Sequence, residues 1–240
     1  MYDAFFSVEG NTFVSFHTSH LIMLLIYLIG FILLILFSTL KTRSIYGRIY
    51  TMIKWFLFIL LVTSEVSYQV WSATSGIWVL SEYIPLHLCG IASITAAISL
   101  LLQNKKLATL TFYIGFIPAL LALITPELPY DFPHFRFWKF FLHHIAISWA
   151  SLFLILTSSI SLKYSSMLKS YGLLLIYAVF IGFIINPALN SNYLYLRDTP
   201  LSNTPLDYFG DGMLYYVNLC LVALAVFSLQ WGIVRFLKKS

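Results

Sequence analysis

Seven apolar stretches run along the chain, at about 20–39, 51–71, 86–103, 107–124, 137–158, 171–190 and 213–235, with polar or turn-forming breaks between them. At about 1.5 Å of rise per residue, roughly 20 apolar residues cross the hydrocarbon core of a bilayer. The pattern predicts an all-α membrane protein: a bundle of seven transmembrane helices forming a single polytopic domain over residues 1–240. The third and fourth stretches are short and meet in a hairpin at QNKK. No soluble domain, low-complexity tract or internal repeat interrupts the series.

Charge follows this pattern. Lys41, Arg43, Arg48, Lys54, Lys105, Lys106, Lys163, Lys169, Arg235, Lys238 and Lys239 fall at one set of helix ends, and they are eleven of the fourteen basic residues. All nine acidic residues fall at the other ends or in the adjoining halves: Asp3, Glu9, Glu65, Glu82, Glu127, Asp131, Asp198, Asp207 and Asp211. The positive-inside rule then sets the N-terminus outside and the C-terminus inside. The first stretch is not read as a signal peptide, because its upstream flank is acidic and the run is too long for an h-region. The two long breaks, TPELPYDFPHFR and NSNYLYLRDTPLSNTPLDYFGDG, both fall outside on this topology, and loops of that length often form lids or binding surfaces.

Composition supports the assignment: 60% of residues are hydrophobic and 10% charged, too little charge for a soluble domain of this length. The two cysteines, Cys89 and Cys220, both lie in apolar stretches and form no disulfide framework. The net charge of +5 reflects helix ends and carries no implication of nucleic-acid binding.

Ionisable groups inside a bilayer are costly and point to function. Here they gather in the outer half. Glu65 falls about 9 Å, and His143 and His144 about 10 Å, below the outer ends of their helices. Cys89, Asn186 and Asn190 belong to the same layer, and His17 and His20 mark the outer end of the first helix. The inner halves are expected to hold nothing comparable. Helical phase places Cys89 with Ala92, Ser93 and Ala96 on a small-residue face suited to close packing. His144 shares a stripe with Ser148 and Ser151, so it is expected to point inward. His143 shares a face with Lys139 and Arg136 and is expected toward the headgroups or a neighbouring helix. Asn186, Asn190, Tyr193 and Arg197 share a face if the sixth helix continues past its nominal end.

The segment IPLHLCG concentrates this chemistry. Pro85 suits a first helical turn. Cys89 then sits one turn inside the positive end of that helix, where a thiol is readily ionised, the more so beside a histidine. A cysteine, a histidine and a carboxylate at one depth are the parts of an activated nucleophile with an oriented base. Each has a plainer reading. Cys89 and Cys220 are also small packing residues. His143 and His144 also suit interhelical hydrogen bonds. His17, His20, His87 and His134 also suit the interface, and Glu65 is either neutral or paired with Lys139 or Arg197.

IPLHLCG, TPEL with FPHFRFWKFFLHH, and NYLYLRDTPLSNTPLDYFG together resemble the YwaF-like family of bacterial integral membrane proteins, over about Pro85 to Tyr216. That family is similar to a eukaryotic transmembrane cysteine acyltransferase that makes polyunsaturated ether phospholipids. More distantly it is similar to membrane hydrolases of fatty acid esters of hydroxy fatty acids, which use a threonine and a histidine. The resemblance implies Cys89 as nucleophile and His144 as its histidine. Ile145 stands where glycine usually follows that histidine, and DGMLYY is poorer in proline and tryptophan than the family pattern.

The expected function is a lipid acyltransferase or lipid hydrolase in a bacterial cytoplasmic membrane, acting on a phospholipid or fatty acyl ester through a thioester. Cys89, His144 and Glu65 would be catalytic. His87, His143, Asn186, Asn190, Tyr193 and Arg197 would contact substrate. No metal, cofactor or nucleic-acid partner is implied. The alternative is a non-enzymatic transporter or binding protein for a small polar or lipid solute. A haem or metal protein is disfavoured because the histidines lack a ligand spacing, and a retinal protein because the last helix has no lysine before Lys238.

Overall fold

A computed structural model describes residues 5–40, 45–158, 160–200 and 204–237. Asp3, Lys41, Arg43, Lys238 and Lys239, used above in the charge pattern, lie outside the described residues. Among the described residues the chain is all-α, apart from an isolated antiparallel bridge between Thr12 and Tyr130. The long helices are α1 (Thr18–Ser38), α2 (Tyr46–Thr74), α3 (Leu88–Leu102), α4 (Lys105–Ile124), α5 (Phe135–Thr157), α6 (Tyr164–Leu189) and α7 (Gly212–Leu237). All except α3 are long and apolar enough to cross a membrane. With 15 residues, α3 spans only about 22 Å, less than a hydrocarbon core.

Two ends of the bundle are defined by contacts between non-neighbouring segments. At the acidic end, His20 Nε2 donates to the Leu123 carbonyl at 2.8 Å, and Trp71 Nε1 donates to the Phe6 carbonyl at 2.8 Å. The Tyr193 hydroxyl donates to the Leu80 carbonyl at 2.5 Å. At the basic end, Gln103 Nε2 donates to the Tyr50 hydroxyl at 3.0 Å, and Trp231 Nε1 donates to the Leu162 carbonyl at 3.2 Å. The helices therefore alternate in direction.

The core is built around α5, which is buried almost continuously from His143 to Ile155 and packs on α1, α2, α3 and α4. Small residues permit the closest approach: Ala92 and Ala96 of α3 are fully buried, and a Cβ on Gly115 would stand 2.4 Å from Ser151 Oγ and 3.6 Å from Ala92 Cβ. Outward faces of α1, α2, α6 and α7 present exposed Leu25, Leu33, Ile59, Val66, Ile176, Phe183, Leu221 and Leu229. A continuous apolar exterior over hydrogen-bonded helices is the arrangement that lipid demands.

Several boundaries differ from the apolar pattern. α2 begins at Tyr46 and α6 at Tyr164, before their apolar stretches, because backbone hydrogen bonding continues where side chains have already become polar. α6 does not continue past its nominal end. Its last turns change to π-geometry over Ile181–Ile185, immediately before Pro187, whose missing N–H breaks the regular ladder. It stops at Leu189, and Asn190 turns left-handed at φ 49°. Asn186, Asn190, Tyr193 and Arg197 therefore do not lie on one helical face.

The half toward the basic end is not free of buried polar groups, contrary to the sequence pattern. Gln230 Nε2 donates to the Tyr113 carbonyl at 3.0 Å, while Gln230 Oε1, Tyr113 Oη, Thr111 Oγ1 and Ser99 Oγ are buried without a partner among the described residues. These side chains are uncharged and of mixed apolar character, so hydropathy passes over them.

Candidate functional site

The site begins at IPLHLCG. Helix α3 starts at Leu88, with His87 extended at the cap position, so Pro85 precedes the helix rather than occupying its first turn. The loop folds back over that turn: a Cβ on Gly90 would lie 2.4 Å from the Pro85 carbonyl oxygen. Only a residue without a side chain fits there. Cys89 is thus the second residue of α3, half-buried and free. Two contacts hold the loop from outside: the Tyr177 hydroxyl donates to the Leu86 carbonyl at 2.8 Å, and the Leu194 N–H donates to His87 Nδ1 at 3.3 Å. Tyr193 and Tyr195 pack their rings 5.1 Å from the His87 ring.

On α5 both histidines, His143 and His144, are buried. The His144 Nδ1–H donates to the Phe140 carbonyl at 2.7 Å. A carbonyl only accepts, so the proton sits on Nδ1 and Nε2 carries a lone pair. Of the two placements its helical phase allowed, headgroups or a neighbouring helix, His143 takes the second. Its Nδ1 lies 2.7 Å from Ser64 Oγ of α2, and its Nε2 lies 4.0 Å from Glu65 Oε2. Sequence phase identified the face but not the helix packed against it.

Glu65 is engaged by other groups than His144. Gln69 Nε2 donates to its Oε1 at 2.7 Å, and Lys139 Nζ lies 4.0 Å from its Oε2. Gln69 also donates to the Tyr83 carbonyl at 2.7 Å and accepts from Trp78 Nε1 at 2.8 Å, tying the α2–α3 loop to the carboxylate. Lys139 sits over the Tyr68 ring at 4.1 Å. Among the described residues no hydrogen bond joins Cys89 to a histidine.

The residues after α6 form a separate knot. Asn186 Oδ1 accepts from Ser191 Oγ and from the Tyr193 N–H, both at 2.9 Å, and its Nδ2 donates to the Tyr193 carbonyl at 3.0 Å. Asn190 Oδ1 accepts from Arg197 at 2.6 Å, and Arg197 also lies 3.8 Å from Asp198. Arg197 therefore has no pairing with Glu65, and the polar groups of Asn186, Tyr193 and Asn190 are engaged within the protein.

His20 and His134 are buried rather than interfacial. His20 is fully enclosed between the Phe16 N–H and the Leu123 carbonyl. His134 caps α5 by accepting from the Arg136 N–H at 3.0 Å, while its Nε2 donates to the Ser7 carbonyl at 2.9 Å. Burial holds the His134 imidazole below its ordinary pKa, with the Ser7 bond opposing.

The chain is a bundle of helices of membrane-spanning length, and a sequence family of transmembrane proteins matches residues 15–231. The chain belongs to the TMEM164 family. The match covers well over half of the chain and includes α1 and α2, which lay outside the motif resemblance. No curated protein and no solved structure matches the chain. Membership supports a multi-pass membrane protein and is silent on acyl transfer.

Sequence reasoning gave no role to Ser64, Gln69 or Tyr68, and it left Lys139 as one of two partners for Glu65. A signal existed: Ser64, Glu65, Tyr68 and Gln69 cluster within two turns of an otherwise apolar helix, and Arg136, Lys139 and His143 recur at helical spacing on α5.

Proposed function

We propose that the chain is a membrane-embedded lipid acyltransferase or lipid hydrolase of a bacterial cytoplasmic membrane, with its acidic end outward. Cys89 is the nucleophile and His144 the base. The observation that carries this reading is the His144 ring on α5, whose Nδ1–H is committed to the Phe140 carbonyl so that Nε2 carries the lone pair, together with a free Cys89 in the first turn of α3. His144 Nε2 takes the thiol proton as sulfur bonds to the ester carbonyl carbon. The tetrahedral intermediate expels the alcohol, which receives that proton, and a thioester remains on Cys89. An acceptor hydroxyl or water then gives its proton to His144 and attacks the thioester, the C–S bond breaks, and the released Cys89 sulfur takes that proton back from His144. Glu65 supports the site by holding Lys139 rather than by orienting His144.

The test is an acyl-transfer assay in liposomes with a mixed phospholipid pool, comparing Cys89→Ser, His144→Ala and His143→Ala at equal folded amount. Cys89→Ser and His144→Ala should lose about 10²–10⁴-fold in turnover, with no thioester trapped on the protein. His143→Ala should act chiefly on stability, because it severs the bond to Ser64. Wild-type turnover in both of the first two variants removes the enzymatic reading. The second reading, a non-enzymatic lipid or solute carrier, is favoured by the π-segment and Pro187 in α6, since carriers use interrupted helices.

A further inference from the structure

Two cations stand at the acidic end of α5, one turn apart and on one side of the helix. Arg136 lies 5.1 Å and Lys139 4.1 Å from the same Tyr68 ring, and Arg136 is also 5.6 Å from the Trp71 ring. Like charges at this spacing repel. A single carboxylate offsets them: Glu65 reaches Lys139 at 4.0 Å, beyond hydrogen-bond length, and its other oxygen is taken by Gln69. Among the described residues no acceptor bonds the three Lys139 N–H groups or the Arg136 guanidinium. Lys139 keeps 15% of its side chain accessible. The cluster thus holds more N–H donors than the protein itself engages in hydrogen bonds among the described residues. Arg197, the other cation at this end, is already paired with Asn190 and Asp198.

We propose that Arg136 and Lys139 form an anion seat that takes the phosphate of a phospholipid. The ligand class follows from donor chemistry and depth. A planar guanidinium and an ammonium together match a phosphodiester's oxygens. The seat is at the helix end, at the level where a bilayer places its phosphates. Lys139 is about 6 Å of helix rise, and Arg136 about 10 Å, from His143. A phosphate held between them leaves the acyl ester, a few bonds deeper, level with Cys89 and His144. This inference rests on the lipid reading above, but it concerns binding and is separable from catalysis.

The experiment measures binding of a short-chain phosphatidylcholine, the matching short-chain diacylglycerol and inorganic phosphate to purified full-length protein in detergent, by native mass spectrometry. Arg136→Gln and Lys139→Gln should each weaken the phospholipid by about tenfold or more and leave the diacylglycerol unchanged. Arg136→Lys and Lys139→Arg keep the charge and should lose less phospholipid affinity than the glutamine variants, which separates loss of charge from loss of fold. Unchanged phospholipid affinity in an Arg136→Gln/Lys139→Gln protein with a wild-type melting temperature overturns the seat. So does equal loss of phospholipid and diacylglycerol. Displacement of the lipid by equimolar inorganic phosphate overturns the lipid source in favour of a soluble phosphate. A protein that shows charge-dependent phospholipid binding but no acyl transfer retains the seat and loses the enzymatic reading.

Discussion

A methyl group on Gly90 would stand 2.4 Å from the Pro85 carbonyl oxygen, and no side-chain rotation relieves a clash with backbone. Gly90→Ala must therefore lift the IPLHL loop off the first turn of α3, at a cost of about 1–3 kcal/mol. It should lower the melting temperature in detergent and raise the rate at which maleimide labels Cys89. Wild-type values for both would mean that the loop does not rest on the helix. At this scale the sequence revealed residue types and depth, since a proline, histidine, cysteine and glycine are conspicuous in an apolar chain. It did not reveal partners. Helical phase separated His143 from His144 correctly as residues of different faces, yet the identity of the facing atoms, Ser64 Oγ for one and the Phe140 carbonyl for the other, depends on which helix packs there. His20 carried the same ambiguity: nothing local distinguishes an interfacial imidazole from one enclosed by a distant carbonyl.

Helices were legible as apolar runs, because the bilayer imposes both length and hydropathy. Their ends were not, because hydropathy reports the membrane's edge rather than the last backbone hydrogen bond. The end of α6 shows the consequence. Asn186 has every polar group of its amide engaged, and those bonds fold Ser191 and Tyr193 back toward the bundle. Tyr193 in turn reaches the Leu80 carbonyl, and the neighbouring Leu194 N–H reaches His87. Asn186 is thus a clamp between the end of α6 and the loop that carries Cys89. Asn186→Ala removes three hydrogen bonds and leaves the Tyr193 backbone unsatisfied, so a loss of about 2–4 kcal/mol is expected. Limited proteolysis should cut the 190–200 segment sooner in this variant, while Asn186→Asp, which keeps both acceptor bonds, should be milder. An Asn186→Ala protein with unaltered melting and proteolysis but weakened lipid binding would return Asn186 to the substrate-contact role.

Across the whole molecule, charge sorting and helix direction agree. The alternation seen in the sequence needs an odd number of passes between the ends, which seven crossings supply and which five would also supply if α3 and α4 formed a re-entrant pair. α3 is the weak link, because 15 residues fall short of a full crossing and a re-entrant α3–α4 hairpin would leave every flanking loop on the same side. Contacts favour traversal: Gln103 at the hairpin bonds Tyr50 near the start of α2, so the hairpin reaches the level where α2 begins. A local thinning of the bilayer accommodates the short helix. In a Cys89→Ser/Cys220→Ser background, a cysteine at position 106 should react with a membrane-impermeant maleimide only after the cells are opened. A cysteine at position 207 should react on intact cells. Reaction at 106 on intact cells, or protection at 207, inverts the orientation. A cysteine at 106 that stays protected from both sides, with 207 still labelled outside, makes α3 and α4 a re-entrant pair. In that case the Cys89 layer lies at the mouth of a buried hairpin rather than along two crossing helices.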